Sequence, residues 1–238
     1  RGKLGYSHRR KVRNKYLSIV DTPAINGADI ITTIDVEMQD LAERALLDEL
    51  RLPQVNGEMG VAILMEVKTG DVKAIVNMMK CADGEYREIM NNAISYTCEP
   101  GSASILLALD EGKTDTSEVI HTGGGVVEMH SRFMKDHNWA TQGGYGDINV
   151  ARSLEVSSNI GVSSIIDKNY AARPEDYIAG LRRIGILEDL QLPLIGYKHP
   201  RVPTPKRNPK GGVEDKTQLP WMSIGYGTQI APINTLTF

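Results

Sequence analysis

The sequence predicts an α/β (α+β) chain, with an early sheet followed by a mostly helical body. Residues 61–67 and 72–76 are two apolar, β-branched-rich runs around a short polar turn, which is the pattern of a hairpin. From residue 100 onward, apolar positions recur at helical spacing over 103–111, 149–168 and 174–184. The length of 238 residues, with 41% hydrophobic and 24% charged, suffices for a sizeable core. Those figures exclude a disordered chain, a collagen-like fibre and a disulfide-stapled miniprotein. The net charge of −3, from 27 basic and 30 acidic residues, argues against a general nucleic-acid binder. No apolar run approaches the roughly 18–20 residues of a membrane span, and none reads as a signal peptide. The start lacks Met and the end falls inside an apolar stretch, so the chain is read as a piece of something longer.

Taken in order, residues 1–20 carry Arg1, Lys3, Arg9, Arg10, Lys11, Arg13 and Lys15 and no acid. They read as a solvated connecting segment. The functional alternative is an arm that meets acidic lipid headgroups, a polymer or a partner. Ile30-Ile31-Thr32-Thr33-Ile34 reads as a strand. Asp35 then caps a helix over 36–51, whose apolar side holds Val36, Met38, Leu41, Ala45 and Leu46. The hairpin follows, turning at Gly70-Asp71, and its apolar strands predict the centre of a sheet. Gly112 and Gly185 stand where helix C-caps belong. Pro193, Pro200, Pro203, Pro205 and Pro209 make 193–212 a long loop.

Cys81 and Cys98 are read as free thiols. The five histidines form no ligand pair, and no Cys/His spacing suits zinc, so neither a metal nor a cofactor is expected. Asp136-His137-Asn138-Trp139 reads as a satisfied structural loop, with a place along a cleft as the alternative.

Two short segments carry chemistry. In Glu99-Pro100-Gly101-Ser102 a Pro-Gly turn delivers a serine to the start of an apolar helix. Open N–H groups and partial positive charge there favour a serine oxygen as it attacks. A plain N-cap uses the same residue type, so both readings stand. In Ser157-Ser158-Asn159 a hydroxyl and an amide two residues apart can relay a proton and hold a carbonyl.

Together with their surroundings these segments are specific. The chain resembles the transpeptidase domain of penicillin-binding proteins, in the monofunctional class B that includes division-specific peptidoglycan D,D-transpeptidases. The resemblance rests on Thr32-Thr33-Ile34-Asp35 with Gln39, the hairpin around Lys68-Thr69-Gly70, Glu99-Pro100-Gly101-Ser102, Ser157-Ser158-Asn159, and Ile224-Gly225-Tyr226-Gly227 before Pro232. It covers about residues 21–238 and implies that residues 1–20 end a basic linker before a domain over 21–238. It implies the fold shared with serine β-lactamases, a sheet flanked by a mostly helical subdomain, incomplete here at the C-terminus. It implies that Ser102 attacks the bond between two D-alanines of a peptidoglycan stem peptide, with Ser157 and Asn159 as the second motif, and that an amine resolves the acyl-enzyme. Stem peptides, β-lactam antibiotics and membrane-bound wall-synthesis and division proteins are the implied partners. The implied place is the inner membrane, with the catalytic domain outside it on an anchor absent from this chain.

Two departures qualify the resemblance. The family places a lysine three residues after the serine, and position 105 is Ile105. The residues after Ser102 resemble those that normally follow the lysine, as if about four residues were missing; four residues turn a helix by about 400° and shift its apolar face by only about 40°. A mobile stretch left out of the sequence, an introduced deletion and a natural loss making a pseudoenzyme all account for this. The third motif, Lys-Thr/Ser-Gly after the Ser-x-Asn, is also missing. Lys68-Thr69-Gly70 has its letters but precedes the serine, in a turn. The alternative function is therefore a catalytically inactive scaffold in a wall-synthesis complex; a β-lactam sensor or hydrolase fits the N-terminal elements less well.

Overall fold

The computed structural model describes residues 2–98 and 100–236. The chain divides into two compact units, residues 1–34 and 35–238. In the first, the basic segment carries an antiparallel hairpin of β1 (Tyr6–Val12) and β2 (Lys15–Thr22). Every residue of both strands is exposed, and His8 faces Asp21 across the pair at 2.8 Å. Residues 30–34 form no strand, contrary to the sequence expectation, and Ile31 is 98% exposed. β-Branched residues favour a strand only where a neighbour supplies ladder bonds and packing.

The second unit opens with α1 (Val36–Leu50), capped as expected: the Asp35 carboxylate accepts from the Met38 N–H at 3.0 Å. Next come β3 (Met59–Met65), β4 (Val72–Lys80) and β5 (Tyr86–Arg87), an antiparallel sheet in the order β3-β4-β5. The β3–β4 hairpin is the expected one, and Gly70 supplies the left-handed turn at φ +75°. Only β4 is central; β3 lies at an edge of the described sheet. α1 lays Ala42, Leu46, Leu47 and Leu50 on Ala74, Val76 and Met78 of β4.

β5 pairs only with Met79 and Lys80, so the rest of that side of β4 needs other partners. Gln39 of α1 supplies them at Ile75. Its Oε1 accepts the Ile75 N–H and its Nε2 donates to the Ile75 carbonyl, both at 2.8 Å. Farther along, the Asn77 N–H donates to Glu88 at 2.9 Å. The Gln39 and Glu88 side chains and the Asp35 N–H, which donates to the Lys73 carbonyl at 2.9 Å, thus take the place of a neighbouring strand there.

The helical body contains α2 (Asn92–Ser95), α3 (Ala103–Asp110), α4 (Val150–Glu155), α5 (Asn159–Tyr170), α6 (Pro174–Arg183) and α7 (Gln218–Ser223). Two small strand pairs lie between α3 and α4. β6 (Val119–Gly123) pairs with β9 (Gly146–Asn149), and β7 (Val126–Met129) pairs with β8 (Arg132–Lys135). The main core joins Ile105 and Leu107 of α3, Ile165 and Ile166 of α5, Leu181 of α6 and Met222 of α7. Gly112 and Gly185 follow α3 and α6 with left-handed backbones, at φ +62° and +92°. Cys81 and Cys98 are free. The single helix expected over 149–168 is two, α4 and α5, because Ser157 between them has φ +51° and cannot continue a right-handed helix.

Gln39→Ala leaves the Ile75 N–H and C=O without their partner in a half-buried setting. The expected loss is about 1–3 kcal/mol of unfolding free energy, read from urea denaturation with an unchanged denaturant slope.

Candidate active site

Ser102 reaches the surface through packing on the end of α7. The Pro100-Gly101 turn closes with the Ala103 N–H on the Pro100 carbonyl at 3.3 Å and the Ser104 N–H on Gly101 at 3.2 Å. A Cβ on Gly101 would lie 2.8 Å from the Ile224 carbonyl oxygen, so only glycine lets this turn rest against the C-cap of α7. Ser102 is exposed and occupies the N-cap position of α3, yet its side chain makes no capping bond. The plain-cap reading of this serine is thus not realised. The neighbouring Glu99 lies outside the described residues.

Behind Ser102, α3 is tied down by a buried hydroxyl relay. The Tyr177 hydroxyl donates to Ser104 Oγ at 2.7 Å, and Ser104 donates to the Ser223 carbonyl. Three helices, α3, α6 and α7, meet in those two bonds. Burial pushes the Tyr177 phenol well above its ordinary pKa, so it stays a neutral donor. One turn after Ser102, Ile105 is fully buried in the main core.

The second segment is a helix end of a recognisable kind. The Ser158 N–H bonds to the Ser153 carbonyl at 2.8 Å and the Ser157 N–H to Leu154 at 3.2 Å, the paired bonds of a Schellman motif closing α4. Glycine usually holds the left-handed position of that motif; here it is Ser157. Ser158 then caps α5, its Oγ accepting from the Gly161 N–H at 2.9 Å. A Cβ on Gly161 would stand 2.4 Å from Ser153 Oγ, so the two helices meet too closely for any other residue. Asn159, the first residue of α5, donates its Nδ2 to the Lys135 carbonyl at 2.8 Å, which leaves Oδ1 as the amide's free acceptor.

Ser102, Ser157 and Asn159 line one cavity of about 220 Å³, beside Gly101, Ser158 and Ile224. The structure thus brings together all three residues singled out in the sequence. Among the described residues no charged side chain lines the cavity. Lys68-Thr69-Gly70 is not part of it; Thr69 sits in the β3–β4 turn, donating to Glu66 at 3.0 Å and accepting from the Asp71 N–H at 3.1 Å. Ile224 forms a wall, while Tyr226 is exposed. Among the described residues no group of three or more His, Cys, Asp or Glu side chains is placed to hold a metal.

Sequence reasoning passed over Asp136, placing it in a structural loop. It is 1% exposed, and its carboxylate lies 3.0 Å from Ser158 Oγ and 3.0 Å from the Ile160 N–H. No local spacing announces this, because the contact joins the end of β8 to the start of α5.

The family model described as "Penicillin binding protein transpeptidase domain" matches residues 60–238. The chain is 27% identical over 218 residues to the peptidoglycan D,D-transpeptidase FtsI of Buchnera aphidicola subsp. Schizaphis graminum, covering 87% of this chain and 35% of that protein. It is 26% identical over 227 residues to FtsI of Escherichia coli K12, covering 91% and 35%. The chain therefore spans about a third of the length of these curated relatives. Among solved structures, the TP domain of Burkholderia pseudomallei penicillin-binding protein 3 aligns with a TM-score of 0.64 at 23% identity, over 85% of this chain and 55% of that one. Penicillin-binding protein 2X of Streptococcus thermophilus aligns with a TM-score of 0.70 at 18% identity, over 99% and 34%. At those identities the likeness establishes the fold.

A non-glycine residue in the left-handed region costs about 1–2 kcal/mol, partly offset by the extra backbone freedom glycine loses on folding. Ser157→Gly is therefore expected to stabilise the chain by about 0.5–1 kcal/mol in urea denaturation, while removing a hydroxyl from the cavity.

Proposed function

The chain belongs to the penicillin-binding protein transpeptidase family, and from that membership we propose that the protein containing it is a D,D-transpeptidase that cross-links peptidoglycan stem peptides. The observation that carries this is the convergence of Ser102, Ser157 and Asn159 on one cavity.

In the proposed reaction, Ser102 Oγ attacks the carbonyl carbon between two D-alanines. The C–N bond breaks, the terminal D-alanine leaves as an amine after taking up a proton, and an ester to Ser102 remains. The amine of a neighbouring stem peptide attacks that ester, forming the cross-link and returning the proton to Ser102. Ser157 is a hydroxyl of the right kind to relay the proton between Ser102 and the departing amine. Asn159, its Nδ2 engaged by Lys135, offers Oδ1 to a backbone N–H of the stem peptide. A β-lactam acylates the same serine, because its strained amide presents the same carbonyl without a leaving group that diffuses away.

Among the described residues that line the cavity there is no base for the Ser102 proton. In the family it is the lysine one turn on, and here that turn buries Ile105. The substrate lies outside the cytoplasmic membrane, so the domain works there, attached to membrane-bound division and wall-synthesis proteins. Among the described residues no helix is long and apolar enough to cross a membrane.

The test is covalent labelling. Incubation with a fluorescent penicillin is expected to give one label per chain, on the peptide containing Ser102, and Ser102→Ala is expected to abolish it. An unlabelled chain whose intact mass matches its sequence overturns the reading and leaves a wall-complex scaffold. Ile105→Lys is expected not to restore activity where it is missing. It places an ammonium in the main core rather than beside Ser102, lowering stability by more than about 3 kcal/mol in urea denaturation.

A further inference from the structure

We propose that Asp136 is a positioning residue for the Ser157–Asn159 turn, acting as the middle member of a three-residue clamp formed by Lys135, Asp136 and His137. Each of these consecutive residues holds a different part of the turn. The Lys135 carbonyl takes the Asn159 side-chain amide at 2.8 Å. The Asp136 carboxylate takes the Ser158 hydroxyl and the Ile160 N–H, each at 3.0 Å. His137 reaches the far side through Tyr145, whose hydroxyl lies 3.0 Å from His137 Nε2 and 3.5 Å from the Val156 carbonyl. The His137 and Tyr145 rings also meet edge to face, with centroids 5.8 Å apart. The turn from 156 to 160 is thus gripped from both ends by one short piece of chain.

Ser158 caps α5 only at the Gly161 N–H, and the Asp136 carboxylate takes the Ile160 N–H that this cap leaves open. Among the described residues Asp136 forms no ion pair, so its charge is compensated only by hydrogen bonds and by the positive end of a 12-residue helix. Burying a carboxylate on those terms is costly, and an apolar residue of similar size packs more cheaply. What the carboxylate adds is direction. Two acceptor oxygens fix the Ser158 hydroxyl and the Ile160 N–H together, and with them the left-handed Ser157 and the first turn of α5. A side chain in a strained backbone holds its place only when its surroundings over-determine it.

The catalytic consequence rests on the transpeptidase reading; the clamp itself does not. Asp136→Asn and Asp136→Ala in the full chain, followed by amide hydrogen exchange and by the penicillin acylation rate, separate the two. The expected result is exchange at Ile160 and Gly161 accelerated at least about tenfold, more in the alanine variant than in the asparagine one, with Ile165 and Ile166 unchanged. Acylation is expected to slow by at least about tenfold in Asp136→Asn, in the range typical of a displaced catalytic group, with an unchanged melting temperature. Unchanged exchange at Ile160 and Gly161, or acceleration spread evenly along α5, overturns the clamp. Should the Asp136 variants fail to fold, Tyr145→Phe tests the opposite end. Faster exchange at Ser157 and Ser158 supports the clamp, and no change overturns it. A wild-type chain that takes no penicillin but shows the expected exchange pattern defeats the transpeptidase reading and leaves the clamp standing. Equal acylation of wild type and Asp136→Asn defeats the catalytic consequence and leaves the transpeptidase reading standing.

Discussion

The junction between α4 and α5 sets the geometry of the cavity. A helix that ends and restarts within three residues must reverse its backbone, and the Schellman closure does this through one left-handed residue. Placing serine there instead of glycine gives up backbone ease to put a hydroxyl at the apex. The restart then needs its own cap, which Ser158 supplies, and a close approach to the helix just ended, which Gly161 permits. Each step constrains the next, so Ser157 and Asn159 face one cavity as a consequence of chain geometry rather than of separate loops.

Ser102 is held by different means. Its turn rests on the carbonyl of Ile224, and its helix is pinned through Ser104 to α6 and α7. α5 and α7 both contribute to the same core as α3. The two halves of the cavity are therefore coupled through packed helices, and a shift of α7 moves Ser102 directly. A side chain at the end of a packed helix keeps its distance to its neighbours better than one on a loop.

How much of this the sequence discloses depends on the range of each interaction. Asp35 as a cap, the Gly70 turn and the extent of α1 are local, and they are read correctly; the packed face of α1 is not, because Val36, Met38, Leu41 and Ala45 are exposed and it is Ala42, Leu47 and Leu50, with Leu46, that meet β4. Ile30 to Ile34 misleads, since β-branched composition describes what a strand would need and not whether a neighbour exists. The helix over 149–168 looks continuous because Val156-Ser157-Ser158 contains neither Gly nor Pro; the break is made by hydrogen bonds that composition does not record. Gln39 is quoted as part of a motif, but its work as a substitute ladder partner emerges only with β4 beside it. Asp136 is the extreme case. Its importance lies in a contact to Ser158 across 22 residues of sequence, and nothing near it in the chain points there.

The chemistry of the cavity follows from what it lacks as well as what it holds. Hydroxyls and an amide orient a peptide carbonyl and its N–H, but neither accepts a serine proton with useful basicity near neutral pH. Orientation and proton transfer are thus separable in this fold. The Ser157–Asn159 turn, clamped by a neighbouring strand, and the α3 turn, seated on α7, are complete as positioning devices. In the proposed reaction the proton acceptor belongs one helical turn beyond Ser102, where Ile105 is buried in the main core. Changing that residue alone cannot supply the base, because the direction of the side chain is fixed by the helix phase. About one more turn of chain between Ser102 and the apolar face of α3 would carry the residue one turn beyond Ser102 out of the core while keeping Leu107 and Ala108 buried, since four residues shift that face by only about 40°.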